Sequence, residues 1–164
     1  MTLKADFFPT DTVDLIRLFE KYGVRYLVIG GRAVNYHAYT RTTADSDLFF
    51  APTEKNSRKV FKALKEFWGG EVPAVEKADE LAEQGIWLQL GYKPARIDLL
   101  NQVEGIVFEE AWERRVEEQL ATEPPVTVFI VSRKDLIKAK KEAGRYVDKA
   151  DLEYLKKAEQ QQND

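Results

Sequence analysis

Cysteine is absent from this chain of 164 residues, and histidine occurs once, as His37. Without a thiol there is no disulfide, no thiolate zinc site and no cysteine nucleophile, and the composition fits a reducing cytoplasm. A lone histidine has few catalytic partners within sequence reach. His37 therefore reads as a side chain that packs or hydrogen-bonds structurally, with contact to a ribose or base as the other reading. Long apolar runs are also missing. None approaches membrane-spanning length, and residues 1–10 lack the continuous apolar region of a signal peptide, so no membrane partner is expected and cytoplasmic location is the expectation. Nor does one sign of charge dominate: 25 Lys and Arg against 28 Asp and Glu leave a formal net charge of -3. Such a balance carries no message about nucleic acid, although a local basic patch can hide within it.

What is present is ordinary globular material. A hydrophobic content of 44% over this length predicts a single domain, 1–164, with a sizeable core. No internal repeat, low-complexity segment or linker divides it. The informative stretch is 26–50. Leu27, Val28 and Ile29 form a short apolar run that suits a buried strand, and Gly30-Gly31 ends it where a helical segment begins. Glycine lets backbone approach a ligand closely, and the first N–H groups of a helix point outward at the positive end of its dipole. Asp45 and Asp47 then alternate into a second apolar strand, Leu48-Phe49-Phe50, so both carboxylates take the same face. Like charges on one face repel, and a hard divalent cation is the usual reason to tolerate them.

Along the chain, apolar spacing predicts helices over about 11–22, 33–39, 53–68, 109–120, 136–143 and 148–160, the last two separated by Gly144 and Arg145. Residues 1–10 read as a short arm, 71–84 as a loop with a short helix, and 161–164 as a frayed tail. Strands are expected at 26–29, 45–50, 86–90, 95–100 and 126–131, with 91–94 composing a hairpin turn that carries Asp98 beside the aspartate strand. Ser132 and Asp135 have the spacing of a helix cap. The fold class is α/β (α+β): a mixed sheet flanked by helices, with a C-terminal helical segment over about 132–160. Arg41 reads either as a contact for a triphosphate or as a solvated loop charge. Lys138, Lys140, Lys141 and Arg145 make the C-terminal end locally basic.

These residues carry a resemblance. Gly30-Gly31, Asp45-x-Asp47 and the later Asp98 in Arg96-Ile97-Asp98-Leu99-Leu100 resemble the motifs of the DNA polymerase β superfamily of nucleotidyltransferases. Arg41-x-Thr43-x-Asp45-x-Asp47, and Leu136-Ile137-x-x-Lys140-x-x-Ala143-Gly144-Arg145-x-x-Asp148, are similar to its small stand-alone bacterial branch, which includes abortive-infection-type toxins. Ser46 departs from the pattern, where an apolar residue is usual. It would face away from the site, and is expected to weaken packing more than chemistry.

The resemblance implies that Asp45, Asp47 and Asp98 are catalytic and bind two Mg2+ (or Mn2+) ions. Gly30, Gly31, Arg32, Arg41, Thr43, Lys140 and Arg145 would bind the nucleotide. The implied reaction is in-line displacement on the α-phosphorus of a nucleoside triphosphate by a hydroxyl of a protein, nucleic acid or small molecule, with pyrophosphate leaving. The residues do not name the acceptor; a partner protein or RNA would serve, and a partner or an oligomer would complete so short a chain. Two other readings of the same residues are a non-catalytic nucleotide- or partner-binding module, such as one half of a toxin–antitoxin pair, and a metal-dependent phosphohydrolase.

Overall fold

Short β-branched and aromatic runs separated by helices build a mixed sheet, and its register decides which side chains meet. The computed structural model describes residues 2–163. In chain order the elements are β1 (Thr2–Leu3), α1 (Thr10–Tyr22), β2 (Tyr26–Ile29), α2 (Gly30–His37), β3 (Asp45–Phe50) and α3 (Glu54–Phe67). A short 3-10 helix (Ala78–Ala82) follows, then β4 (Trp87–Leu90), β5 (Arg96–Leu100), α4 (Phe108–Glu113), β6 (Val116–Leu120), β7 (Val126–Ile130), α5 (Arg133–Ala143) and α6 (Tyr146–Asn163). The architecture is mixed α/β.

The strand order is β1-β6-β7-β2-β3-β5-β4, with β1 parallel to β6, β7 to β2 and β3 to β5, and the remaining neighbours antiparallel. Leu27, Val28, Leu48, Phe50, Leu99, Val128 and Ile130 are fully buried at its centre. Helix α1 packs against α3, while α2 packs against α5 and α6. Local chemistry sets the ends. Gly23 closes α1 in the left-handed conformation at φ 67°, and Thr53 and Ser132 cap α3 and α5 by accepting from Asn56 N and Asp135 N.

Several expectations change. Residues 109–120 are not one helix: α4 ends at Glu113 and Val116–Leu120 form a strand. Glutamate and glutamine favour strands little, but the pairing of β6 with β7 and β1 overrides that preference, and Glu118 is buried, accepting a 2.6 Å hydrogen bond from Tyr36 Oη. The N-terminal arm contributes β1 to the sheet edge. Helix α2 begins at Gly30 rather than Ala33, and α6 runs from Tyr146 to Asn163, absorbing most of the expected tail. Ser46 is fully buried but not unpartnered, since Thr12 Oγ1 of α1 donates to its Oγ at 3.3 Å. The anticipated packing deficit is thus met by a polar neighbour. Among the described residues no helix is long and apolar enough to cross a membrane.

Candidate metal centre

Parallel pairing of β3 with β5 brings the carboxylates together. The register sets Asp45 opposite Arg96 and Asp47 opposite Asp98, and the alternation of each strand turns all four side chains to one face. One carboxylate oxygen from each of Asp45, Asp47 and Asp98 lies within 4.8 Å of the others, a group able to hold a metal ion. Gly30 abuts this cluster. It has φ 65°, and a Cβ there would collide with Asp47 Oδ2, so both the backbone conformation and the close approach require glycine.

Gly31 behaves differently. Its missing Cβ faces Thr43, whose Oγ1 would lie only 2.7 Å away, and not the carboxylates. Glycine at this position makes room for the loop entering β3.

The cluster is short of positive charge. Arg96 Nη2 donates to Asp45 Oδ2 at 2.7 Å, and its Nε stands 3.1 Å from Asp98 Oδ1 outside hydrogen-bond geometry. Asp45 Oδ1 is buried with no hydrogen-bond partner among the described residues. Burial first, then the charges of Asp98 and Asp45, push the Asp47 carboxyl up to about 7 against the opposing pull of Lys140. Burial likewise raises Asp98 against the opposing pull of Arg96. A buried, orphaned carboxylate oxygen beside two protonation-prone carboxyls fits a hard cation, which would supply the missing charge.

The opposite wall comes from α5 and the start of α6. A cavity of about 350 Å³ is lined by Gly30, Asp45, Asp47, Arg96 and Asp98 from the sheet side and by Leu136, Ala139, Lys140, Ala143, Arg145 and Asp148 from the helices. Residues 136, 139, 140 and 143 fall on one helical face. Lys140 is buried and its Nζ lies 2.9 Å from Asp148 Oδ1 and 3.1 Å from Asp151 Oδ2. Arg145 Nε meets Asp148 Oδ2 at 2.7 Å from a mostly exposed side chain. Burial works to raise the Asp148 carboxyl, but hydrogen bonds from Arg145 and Lys140 outweigh it and hold Asp148 below its usual range. Larger hollows of about 650 and 630 Å³ lie between α1 and α3 and beside the N-terminal arm, away from the carboxylate triad.

The other predicted phosphate contacts fall outside this cavity. Arg41 makes a bidentate pair with the buried Asp151, Nε to Oδ1 at 3.0 Å and Nη2 to Oδ2 at 3.1 Å, anchoring its loop to α6. Thr43 Oγ1 donates to Asp45 O at 3.2 Å, steadying the start of β3. Arg32 is half-buried, donates to Phe7 O at 3.0 Å and lines the hollow beside the arm with Thr43. His37 keeps its structural reading: Nε2 lies 2.6 Å from Val131 O, and burial lowers its basicity. Arg96 is the site residue that sequence reasoning missed. Its signal was the spacing Arg96-x-Asp98, the same two-residue alternation that singled out Asp45 and Asp47.

In comparisons with protein-family models and with curated proteins, nothing matches this chain.

Proposed function

We propose that this chain is a metal-dependent nucleotidyltransferase of the DNA polymerase β kind, moving a nucleoside monophosphate from a nucleoside triphosphate to a hydroxyl acceptor. The observation that carries the reading is the convergence of Asp45, Asp47 and Asp98 within 4.8 Å, against Gly30 and across a cavity from Lys140 and Arg145. A carboxylate cluster across a cavity from the exposed Arg145 side chain suits a polyanion held on one side through a cation and on the other directly. Asp45 and Asp47, from adjacent turns of the β3 pleat, would hold Mg2+ or Mn2+ together with Asp98. When bound, the cation supplies positive charge against the triphosphate and the departing pyrophosphate. Arg145, whose side chain is mostly exposed, would contact phosphate oxygens from the helical side, while Lys140 holds Asp148 and Asp151 and Gly30 makes room for Asp47. Asp98, as a carboxylate beside the same cation, would accept the proton of the attacking hydroxyl.

One observation favours a second reading. Arg96 already lies between Asp45 and Asp98, as a permanent counter-ion would in a non-catalytic binding module. Incubation with each labelled nucleoside triphosphate, Mg2+ or Mn2+, and a cell lysate separates the two. The enzyme reading expects label on an acceptor with the parent. It expects Asp98→Asn to keep nucleotide affinity within roughly tenfold while transfer falls by about 10²-fold or more, and Asp47→Asn to lose both. No transfer by the parent to any acceptor supports the module.

A further inference from the structure

The cavity is chemically two-sided along β5. Arg96, Asp98 and Leu100 share one face of the strand, so its lining passes from charged to apolar within four residues. The apolar lining comprises Leu100 and Val103 and, from α5, Leu136, Ala139 and Ala143. Trp87 of the outer strand β4 stands there too, opposite Leu100 in the antiparallel register, and remains 63% exposed although it borders the cavity. Gln89, opposite Asp98, separates it from the carboxylates with a group that both donates and accepts hydrogen bonds. Strand spacing puts the Cα atoms of Trp87 and Asp98 about 8 Å apart, two residues along and one strand across.

From this arrangement we infer that Trp87 is the base platform of the site: the nucleobase stacks on its indole while the phosphates lie at the carboxylate end. The inference rests on the nucleotidyltransferase reading and adds to it the subsite that separates a nucleotide from a bare polyphosphate. A large aromatic surface left in water beside a charged cluster costs solvation that a planar ligand recovers. The apolar floor of Leu100 and Val103 leaves base edges few hydrogen-bond partners, so stacking gives affinity with little discrimination among bases.

The test compares two probes with Mg2+ present, a nucleoside triphosphate and inorganic triphosphate, on the parent, Trp87→Ala and Trp87→Phe. Trp87 is on the surface, so both variants should fold, and circular dichroism checks that. Trp87→Ala is expected to weaken the nucleoside triphosphate on the order of tenfold and to leave inorganic triphosphate unchanged, with Trp87→Phe restoring most of the loss. Nucleotide should also quench the tryptophan fluorescence of the parent and not that of Trp87→Phe. Equal affinity of parent and Trp87→Ala for the nucleotide overturns the platform, as does an equal loss for both probes. If the parent binds neither probe with Mg2+, the underlying reading of the carboxylate site falls, and the base subsite falls with it.

Discussion

Two buried aspartate clusters sit within one fold and are compensated in opposite ways. At the start of α6, Asp148 and Asp151 meet three cations: Lys140 reaches both, Arg145 pairs with Asp148 and Arg41 pairs with Asp151. Tyr39 Oη adds a hydrogen bond to Asp151 at 2.9 Å. On the sheet, three carboxylates share one ion-pairing side chain among the described residues, that of Arg96, two oxygens (Asp45 Oδ1 and Asp98 Oδ1) have no hydrogen-bond partner, and Asp47 is pushed up to about 7. The first cluster is complete as it stands and fixes the C-terminal helices against the loop before β3. The second is short of positive charge, and proteins tolerate that where a proton or a cation makes up the difference. The contrast separates a structural ionic network from a candidate binding site more sharply than the presence of acids alone.

The largest effect is expected from breaking the complete cluster. Lys140→Ala leaves Asp148 and Asp151 buried with one cation fewer each and should cost about 3 kcal/mol of stability, read as a lower urea midpoint. A change below about 0.5 kcal/mol would mean that Arg41 and Arg145 suffice and that Lys140 is free for ligand.

Asp47→Asn should act in the opposite direction. The folded-state carboxyl is raised from 3.8 to about 7, so between those values the folded chain holds a proton that the unfolded chain has released. Metal-free parent stability therefore falls as pH rises through this window, and the variant escapes that fall. Thermal or urea unfolding without metal should find Asp47→Asn more stable than the parent by roughly 1–3 kcal/mol at pH 8, with the advantage vanishing near pH 4.

That β3 and β5 exist was legible, because apolar runs flanked by turn residues announce strands. Their register was not, since it depends on pairing across more than forty intervening residues, and register is what makes Arg96 the partner of Asp45. The same limit hid β6: Val116–Leu120 is a strand only because β7 and β1 lie on either side of it. The glycine pair was visible as a pair, but its two members do different work. Gly30 clears space for Asp47 and Gly31 clears space for Thr43, a distinction set by contacts remote in sequence. The pair Asp45 and Asp47 was readable from spacing, Asp98 joined it only through the family resemblance, and the structural use of His37 followed from its being the lone histidine.

A smaller effect sharpens the same comparison. Arg96→Met removes the one guanidinium that competes with a cation for Asp45 and Asp98, so Mn2+ affinity measured by calorimetry should rise about tenfold, or 1.4 kcal/mol. Weaker binding would instead make Arg96 part of the site's support.

The central claim, that the sheet cluster is a cation site and the α6 cluster is not, is tested most directly by the thermal midpoint with Mg2+ or Mn2+ and a nucleoside triphosphate. A ligand bound only by the folded chain raises the midpoint by mass action. The parent should show that rise and an Asp45→Asn, Asp47→Asn double variant should not, although it folds at least as stably without metal. An equal rise in both proteins, or none in the parent, would contradict the account.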